Sequence, residues 1–421
     1  MKIAVIGLGY VGLPLACLLA RNYEVIGFDI DTLKIQKIGE GYTTIKEPLV
    51  DDLLSSAIRS GMLRISSEAS MTKEAEVKII TVGTPYDEVL DSVDYSQLED
   101  SLEIIIPNLK CGDVVMLKST VPPGTTMGIV KLRIESHGLV VPEDVGLVFS
   151  PERMIEGQAV MDFQTLPKII GSSDERSYRI VREILSTLGG KILRVSDPST
   201  AETVKMVDNY ARYVFLGLTN ELALACEKIG VDVLEVIRTA KDDYPRNAGL
   251  LLPGPGVGGS CLNKDPFILR GVLRKFGMDL EMVKSARVVN SLMPGHVVEI
   301  LKRYRSSGTA IILGVAFKGD TDDTRFTPAY EIRDGLINHN FKVKLSDPFV
   351  TGNEIFQDFY EACIGSDAIV LLTDHSEYRH IDLNRLKTLM NPNPVIVDTR
   401  GLISKDDALK SGFEYHGVGR I

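Results

Sequence analysis

The stretch KIAVIGLGYVG, residues 2–12, decides the fold of the N-terminal part of the chain. Its first five residues are mostly apolar and predict a buried strand, and the apolar segment after the glycines predicts a helix. Between them, one glycine permits a tight turn, one lets a phosphate lie against bare backbone, and one lets helix and strand pack closely. The pattern predicts a dinucleotide-binding turn, with a merely tight strand–helix turn as the alternative. The residues expected to contact the dinucleotide here are Gly7, Gly9, Tyr10, Val11 and Gly12.

Polar residues at other predicted strand ends extend this site. Asp29 ends the second strand, where a carboxylate accepts hydrogen bonds from both ribose hydroxyls and repels a 2′-phosphate, which favours NAD over NADP. Lys34 follows on the next segment and belongs to the same expected set. The motifs VGTP and STVPPGTT follow two further strands, so Thr84, Ser119 and Thr120 are expected on the nicotinamide side, with turn capping as the alternative for each.

Short β-branched runs alternate with helical segments along the first 195 residues, and the same pattern restarts near residue 309. The runs that predict strands are KIAVIG, YEVIGFD, VKIITVG, DVVMLKS, VGLVFSP and PKIIG in the first region, and TAIILGVAFK, FKVKLSDP, AIVLLTD and PVIVDTR in the second. This alternation is typical of parallel sheets with crossover helices. Between the two regions, residues 200–230 have apolar side chains at three-to-four spacing and predict a long, mostly buried helix. We therefore predict an α/β protein with two Rossmann-like, doubly wound parallel sheets joined by a central helical region. The expected domains are 1–195, 196–303 and 304–421.

Composition excludes several classes of protein. The chain of 421 residues has 47 basic and 57 acidic side chains, a net charge of −10, and no basic run, so no nucleic-acid partner is expected. Its five cysteines are scattered without a C-x-x-C pair, which favours a reducing, cytoplasmic compartment, and we expect no metal. No apolar run is long enough to span a membrane. The N-terminus resembles a signal peptide, but its glycines interrupt the apolar run.

Two more stretches carry polar residues toward the expected cleft. SPERMIEG, residues 150–157, leaves a predicted strand, so Glu152 and Arg153 lie at the cleft edge. A buried glutamate there suits acid–base chemistry, and a Glu–Arg pair that locks the loop is the alternative. On the long helix, Lys205, Asn209 and Arg212 share one face. Such residues usually face solvent, but their apolar neighbours favour a stripe that lines a site. These neighbours are Val204, Val207, Val214, Phe215 and Leu218.

One cysteine lies in a glycine-rich segment, GPGVGGSCLNKD, residues 254–265. The glycines permit positive φ and close approach of a ligand. Asp265 and Pro266 predict a helix start, as cap and first helical residue, so Cys261 lies just before a helix N-terminus and three residues from Lys264. Both neighbours favour the thiolate over the thiol. We therefore expect Cys261 to be a nucleophile, with a buried structural thiol as the alternative.

Together these motifs carry a resemblance. GLGYVGLP, VGTP, STVPPGTT, SPERMIEG, the Lys205–Asn209 helix, GPGVGGSCLNKD and FKGDTDDTR (317–325) occur in this order. The chain thus resembles the UDP-glucose/UDP-mannuronate dehydrogenase family over nearly its whole length. The resemblance implies an NAD-binding N-terminal domain, a central dimerisation region and a C-terminal UDP-binding domain, in a homodimer or higher homo-oligomer. It also implies oxidation of a nucleotide sugar's primary alcohol to a carboxylate in two NAD-dependent steps, in nucleotide sugar metabolism and polysaccharide biosynthesis.

The resemblance also assigns roles to residues. The thiol of Cys261 would add to the aldehyde and yield a thioester after a second hydride loss. Glu152, through Thr120 and a water, would assist hydrolysis of that thioester. Oxyanion stabilisation is assigned to Lys205 and Asn209, and orientation of water or Lys205 to Asp265. Arg325 is assigned to a cofactor phosphate. The expected substrate contacts are Glu152, Arg153, Lys205, Asn209, Arg212, Tyr244, Arg246, Gly256, Phe317, Lys318 and Arg400.

The sugar is indicated by a second resemblance. DDYPRNAGLLLPGPGVGG (242–259) and the SPER form of the glutamate loop resemble the branch that acts on N-acetylated sugars, especially UDP-N-acetyl-D-mannosamine. In that branch Arg212 and Arg246 match basic positions near the sugar, some reaching from a neighbouring subunit. Ser260 and Lys264 depart from this branch, in which many members have histidine before the cysteine and lack the lysine. UDP-glucose and UDP-N-acetylglucosamine or -galactosamine therefore stay open.

Two other function classes share parts of this pattern. A two-electron hydroxy-acid dehydrogenase would use a similar N-terminal domain and a long helix with a Lys–Asn pair, but it would need neither Cys261 nor a second α/β domain. A non-catalytic NAD-sensing protein would need no nucleophile.

Overall fold

The computed structural model describes residues 1–87, 92–242 and 244–420. The chain forms two compact units. The first unit contains residues 1–208 and 267–278, and the second contains residues 209–266 and 279–421.

An eight-stranded sheet forms the centre of the first unit, with strand order β10-β9-β8-β7-β4-β1-β2-β3. The expected strands form at the β-branched runs, because apolar side chains on both faces can be buried by helices on each side. The strands of this unit, including the small ribbon β5–β6, are β1 Lys2–Ile6, β2 Glu24–Phe28, β3 Leu63–Ser66, β4 Val77–Ile80, β5 Tyr86–Asp87, β6 Ser92–Val93, β7 Val114–Leu117, β8 Gly146–Phe149, β9 Lys168–Ser172 and β10 Ile192–Arg194.

One pairing in this sheet departs from the expected parallel arrangement. β8 and β9 are antiparallel, with Val148 opposite Ser172, whereas the other pairs in the sheet are parallel. Buried strands are apolar on both faces in either direction, so the sequence pattern carries no information about strand direction here.

Helices cover both faces of the first sheet. One face carries a core that includes Val5, Leu13 and Phe163, and the other carries a core that includes Ile6, Leu102 and Phe149. The helices of this unit are α1 Gly12–Leu19, α2 Thr32–Gly39, α3 Val50–Arg59, α4 Ser96–Ile105, α5 Lys131–Glu135, α6 Ala159–Thr165 and α7 Glu175–Ser186.

Helix α8, Pro198–Ile229, is the predicted long helix, and its residues are divided between the two units at Asp208. It is less buried than expected. Val207 is 49% exposed and Leu218 is 40% exposed, while Val214 and Phe215 are half-buried. The three-to-four spacing predicts which face packs, but these two apolar side chains lie outside that face.

A six-stranded parallel sheet forms the centre of the second unit, with strand order β13-β12-β11-β14-β15-β16. Its strands are β11 Gly308–Leu313, β12 Phe341–Ser346, β13 Ile355–Phe356, β14 Ala368–Leu371, β15 Val395–Asp398 and β16 Glu414–Gly417. Its helices, besides its part of α8, are α9 Val233–Lys241, α10 Ser260–Arg274, α11 Glu281–Tyr304, α12 Pro328–Asn338, α13 Phe359–Cys363, α14 Leu383–Leu389 and α15 Lys405–Lys410, with residues 267–274 of α10 belonging to the first unit. Both faces of the sheet are again packed by apolar cores.

Helix α10 begins earlier than the sequence predicts. It starts at Ser260, so Pro266 lies inside it and Asp265 does not cap it. The side chain of Asn263 donates to the carbonyls of Val257 and Gly259, each at 2.9 Å, and so satisfies backbone acceptors just before the helix. Cys261 therefore lies in the first turn of a helix rather than ahead of it.

Within the described ranges, no helix combines the length and the apolar character that crossing a bilayer requires.

Candidate active site

The glycine turn after β1 has the geometry that its sequence predicts. Gly7 has a φ of +91°, which favours glycine. A Cβ on Gly12 would lie 1.8 Å from the carbonyl oxygen of Gly7, so only glycine lets α1 start so close to the strand. A Cβ on Gly9 would meet no atom within 4 Å. The turn therefore leaves open space at Gly9, where the dinucleotide pattern places the pyrophosphate.

Asp29, which follows β2, faces this turn. Its carboxylate accepts the backbone N–H of Leu8 at 2.8 Å and that of Asp31 at 3.1 Å, and it pairs with Lys34 at 2.9 Å. Burial opposes the charge, but the hydrogen bonds from Leu8 and Lys34 outweigh it and lower the pKa of Asp29 below its ordinary value. Asp29 is thus an ionised acceptor that is held beside the glycine turn and pairs with Lys34.

The loops after β4 and β7 lie side by side. The Thr84 hydroxyl donates to the carbonyl of Thr120, and the Ser119 hydroxyl donates to the carbonyl of Val82 at 2.7 Å. The structure therefore brings Thr84 and Thr120 together at the carboxyl ends of neighbouring strands. The same bonds also tie the two loops to each other.

A residue that the sequence analysis missed fixes the second of these loops. Glu202, on α8, is fully buried and accepts the backbone N–H groups of Gly124 at 2.6 Å and of Thr126 at 2.8 Å, and also the Thr126 hydroxyl. Burial raises the pKa of Glu202 to about 7, against these hydrogen bonds. A glutamate on an apolar helix, three residues before Lys205, was the available signal.

Glu152 pairs with a buried lysine rather than with its neighbour. Its carboxylate lies 3.2 Å from Nζ of Lys118 and accepts the backbone N–H groups of Arg153 and Met154. Arg153 instead pairs with Asp208 at 3.2 Å. The Glu152–Arg153 lock offered as an alternative does not form, because the guanidinium points to α8. No sequence pattern selects Lys118, which directly follows the apolar strand β7.

A small cavity of about 10 Å³ adjoins this pair, with room for about one water molecule. Glu152, Lys118 and Lys168 line it. Burial lowers the pKa of Lys168, although Glu152 opposes this shift.

The three polar residues predicted to line a site from one face of α8 differ in burial. Lys205 and Asn209 are buried, whereas Arg212 is exposed. Asn209 Nδ2 donates to Oδ2 of Asp265 at 2.6 Å, and Asp265 is 1% exposed. The structure therefore joins Asn209 to Asp265, which fixes the orientation of the Asn209 amide.

The glycine-rich segment packs against the loop after β11. A Cβ on Gly258 would lie 2.3 Å from the Cβ of Phe317, and one on Gly259 would lie 2.7 Å from the Phe317 ring. Gly259, with a φ of +84°, also donates its N–H to the carbonyl of Arg325 at 2.9 Å. Gly256 has a positive φ as expected, whereas Gly254 and Gly258 serve close approach instead. The segment that precedes Cys261 is therefore held directly on the FKGDTDDTR segment.

The five cysteines fall into two groups. Cys17, Cys226 and Cys363 are buried, while Cys111 and Cys261 are exposed. Burial raises the pKa of Cys17 and of Cys363 to about 12, and it also raises that of Cys226. The hydrogen bond to Asp144 raises the pKa of Cys111. The buried-thiol alternative does not hold for Cys261, which is exposed in the first turn of α10.

The remaining predicted substrate residues lie in the second unit. Arg400 donates from Nε to the carbonyl of Leu372 at 2.7 Å, and its guanidinium reaches Gly254. Phe317 and Lys318 are half-buried on the loop after β11. Tyr244 and Arg246 are exposed. Arg325, predicted to contact a cofactor phosphate, forms an ion pair with Asp323 at 2.6 Å.

The residues around the first turn fit a dinucleotide. The open space at Gly9, the ionised Asp29 and the close Gly7–Gly12 contact are the features that such a ligand requires. Among residues 1–87, 92–242 and 244–420, no group of three or more His, Cys, Asp or Glu side chains is placed to hold a metal ion.

Comparison with known proteins identifies the family of the chain. The models of the UDP-glucose/GDP-mannose dehydrogenase family match it three times: the NAD binding domain at residues 1–189, the central domain at 199–292 and the UDP binding domain at 311–405. UDP-N-acetyl-D-mannosamine dehydrogenase of Methanocaldococcus jannaschii is 34% identical over 99% of this chain and 96% of its own. NDP-N-acetyl-D-galactosaminuronic acid dehydrogenase of Ralstonia nicotianae is 32% identical, with 96% of each chain covered.

A solved structure extends the likeness to the fold. UDP-D-ManNAc dehydrogenase from Pyrococcus horikoshii superimposes with a TM-score of 0.91 at 33% identity, over 100% of this chain and 99% of that one. The chain therefore belongs to the UDP-glucose/GDP-mannose dehydrogenase family and is an NAD-dependent UDP-sugar dehydrogenase.

Proposed function

We propose that this enzyme oxidises the C6 alcohol of UDP-N-acetyl-D-mannosamine to the carboxylate in two oxidations, the second of which uses the thiol of Cys261. The observation that carries the proposal is the placement of Cys261. It is exposed in the first turn of α10, directly after glycines that pack on Phe317 and Arg325. The four other thiols have raised pKa values and are poor nucleophiles at neutral pH.

The chemistry divides into steps that balance. The C6 alcohol loses a hydride and a proton to give the aldehyde. The Cys261 sulfur then bonds to the aldehyde carbon and the carbonyl oxygen takes a proton, which gives a thiohemiacetal. Loss of a second hydride and a proton gives a thioester, and water cleaves the C–S bond to release the carboxylate and restore the thiol. NAD, when bound, accepts one hydride in each oxidation, so two NADH form per carboxylate.

The polar residues serve the oxygen atoms. Asn209, oriented by Asp265, and Lys205 donate hydrogen bonds to the oxygen that becomes negative when sulfur or water adds. Asp265 is therefore a positioning residue for Asn209. Glu152 and Thr120 direct the water that attacks the thioester.

The cofactor and UDP contacts complete the proposal. NAD is held by the turn at Gly7, Gly9, Tyr10, Val11 and Gly12, by Asp29 and Lys34, by Thr84 and Thr120, and by Arg325. The UDP-sugar is held by Phe317, Lys318 and Arg400, with Glu152, Arg153, Arg212, Tyr244, Arg246 and Gly256 near the sugar.

The substrate is supported by the relatives. The Methanocaldococcus protein, matched over nearly the full length of both chains, is named for UDP-N-acetyl-D-mannosamine, and the Ralstonia protein for an N-acetylgalactosaminuronic acid. Both names specify an N-acetylated sugar. UDP-glucose and UDP-N-acetylglucosamine or -galactosamine are the alternatives.

A panel of these four UDP-sugars, assayed with NAD, tests the proposal. We expect the highest kcat/KM with UDP-N-acetyl-D-mannosamine and two NADH per uronate. One NADH per carboxylate would contradict the mechanism, and a tenfold preference for another UDP-sugar would contradict the substrate.

The thiol is tested by replacement. We expect Cys261→Ser to lower uronate formation at least a thousandfold while NAD binding stays within twofold, because the hydroxyl is a far weaker nucleophile than the thiolate. Cys111→Ser, the matched change at the other exposed cysteine, should leave turnover unchanged. Full turnover by Cys261→Ser would refute the covalent route.

The assembly and location stay proposals as well. We propose a homodimer, or higher homo-oligomer, formed through α8, whose exposed Val207 and Leu218 are apolar side chains that a second copy would cover. Light scattering of the purified protein tests this, and a monomer at micromolar concentration would contradict it. Five free cysteines favour the cytoplasm.

A further inference from the structure

The loop after β11, residues 314–320, carries Phe317 and Lys318 and is fixed by a buried carboxylate. We call it the nucleotide loop. Asp347, at the end of β12, is fully buried, and its Oδ2 accepts the backbone N–H groups of Val315 at 2.7 Å and Ala316 at 2.9 Å. Its Oδ1 accepts two more backbone N–H groups, from residues 349 and 350. The Asp347 side chain thus holds the start of the nucleotide loop.

His375 connects that carboxylate to the other end of the loop. The ring is fully buried, with Nε2 3.1 Å from Oδ2 of Asp347 and Nδ1 3.0 Å from the backbone nitrogen of Asp320. A backbone N–H can only donate, so Nδ1 accepts and the ring proton lies on Nε2, where it is donated to Asp347. The ring also stacks on Phe349 and meets the edge of Tyr378.

The residues around His375 hold the same loop. The Thr373 hydroxyl donates to the carbonyl of Ala316, and Asp374 accepts the backbone N–H of Gly319 at 3.2 Å. Ser376 donates its backbone N–H and its hydroxyl to Asp320, at 2.9 and 3.0 Å. The segment 373–376, after β14, therefore binds the nucleotide loop along most of its length.

We propose that His375 is a positioning residue for UDP-sugar binding, because it links both ends of the nucleotide loop and so fixes Phe317 and Lys318. This inference rests on the proposed contact of those two residues with the UDP-sugar. Without the ring, the loop would lose the bond at Asp320 N–H and the support of Asp347, so the ligand would have to order part of the loop; that cost would appear in ligand affinity rather than in the chemical step.

Three variants separate the two hydrogen bonds of the His375 ring, from Asp320 N–H to Nδ1 and from Nε2 to Asp347. His375→Ala loses both. His375→Asn keeps an acceptor near the Nδ1 position, and His375→Gln keeps a donor near the Nε2 position. We expect His375→Ala to raise the KM for the UDP-sugar and the Kd for UDP at least tenfold, and the two amide variants to raise both by a smaller factor. The kcat should fall less than threefold and the KM for NAD should change less than twofold.

The matched control is His416→Gln, at a ring that stacks on Tyr304 in the same unit. It should leave all of these constants unchanged. An unchanged UDP Kd in His375→Ala, or equal losses in UDP and NAD binding, would overturn the inference. If His375→Ala does not fold, the Asn and Gln variants decide by the same criteria.

Calorimetric titration of UDP separates this inference from the proposed function. If the wild-type enzyme binds UDP but does not oxidise the proposed sugar, the function fails and the UDP titration still tests His375. If the wild-type enzyme binds no UDP, the assumed role of the nucleotide loop fails, and the inference fails with it.

Discussion

The two sheets share a hydrogen-bonded aspartate, but its acceptor sites are used differently in each. In each, an aspartate after the second strand of the unit accepts backbone N–H groups from the loop after the first strand: Asp29 from Leu8, and Asp347 from Val315 and Ala316. Asp29 has three donors, whereas Asp347 has five, including His375. A carboxylate offers about four lone-pair sites. Asp29 can therefore still accept a ribose hydroxyl, while Asp347 is saturated by its own chain.

The two carboxylates therefore differ in how many acceptor sites they leave for a ligand. The first sheet leaves an acceptor site on Asp29 and open space at Gly9, where we propose that the dinucleotide binds. In the second sheet, the His375 ring and backbone N–H groups use the corresponding carboxylate, Asp347, to hold the loop after β11. A Rossmann-like topology alone therefore does not predict dinucleotide binding. The two sheets differ in how many protein donors the carboxylate after the second strand accepts, which is Asp29 in one sheet and Asp347 in the other.

The largest expected effect is on the saturated carboxylate. We expect Asp347→Ala to lower the free energy of unfolding by about 4 kcal/mol, because it leaves several buried N–H groups without an acceptor. Asp29→Ala should cost about 1 kcal/mol of stability but raise the KM for NAD at least tenfold. Chemical denaturation and NAD kinetics of both variants test the contrast. Equal stability losses would remove the distinction between the two sheets.

In the glycine turn of the first unit, one glycine is needed for packing of the protein and another leaves space for a ligand. Gly12→Ala places a methyl 1.8 Å from a backbone oxygen, and we expect a stability loss of about 3 kcal/mol. Gly9→Ala meets no protein atom within 4 Å, so stability should be nearly unchanged while NAD affinity falls at least tenfold. Thermal melting and NAD titration provide the two readouts. A large loss of stability in Gly9→Ala would show that the space is not kept for a ligand.

The smallest effect concerns pH. Because the pKa of Glu202 is about 7 when folded and about 4.5 when unfolded, the folded state binds more protons between these values, and stability falls as pH rises through this window. Glu202→Gln should remove about 2 kcal/mol of this dependence between pH 5 and 8. Denaturation of wild type and variant across that range measures it. A parallel pH dependence in both proteins would contradict the assignment.

Asp347 should show the opposite sign. Burial opposes its charge, but His375 and the backbone donors outweigh burial and lower its pKa. Its contribution is therefore present above the ordinary aspartate pKa of 3.8 and is lost as pH falls through the lower, folded value. Asp347→Asn should weaken the acid sensitivity of stability without changing the slope between pH 5 and 8.

The sequence predicts the centre of each sheet better than its edges. The expected strands are apolar because both faces are covered. The strands that it does not predict include β3, β10, β13 and β16, which are the edge strands of the two sheets. Edge strands are paired on one side only and carry polar residues such as Arg64, Arg194 and Glu414, so their pattern is weak.

In the candidate site, residues with a local sequence pattern were predictable and residues that depend on distant contacts were not. The glycine turn, Asp29 and Cys261 have local patterns that the sequence shows directly. The roles of Glu202, Asp347 and His375 depend on bonds to residues far along the chain, so no local pattern selects them. The early start of α10 has a similar cause, because the side chain of Asn263 supplies hydrogen bonds that a helix-start rule based on Asp265 and Pro266 does not include.

The packing of Gly258 and Gly259 on Phe317 limits how the sugar preference of this enzyme can be redesigned. At 258 the obstacle is the Cβ of Phe317 itself, so only an exchange of Phe317 for glycine would remove it. A redesign of the sugar preference must therefore keep Gly258 and Gly259 packed on Phe317 and change the surrounding side chains instead.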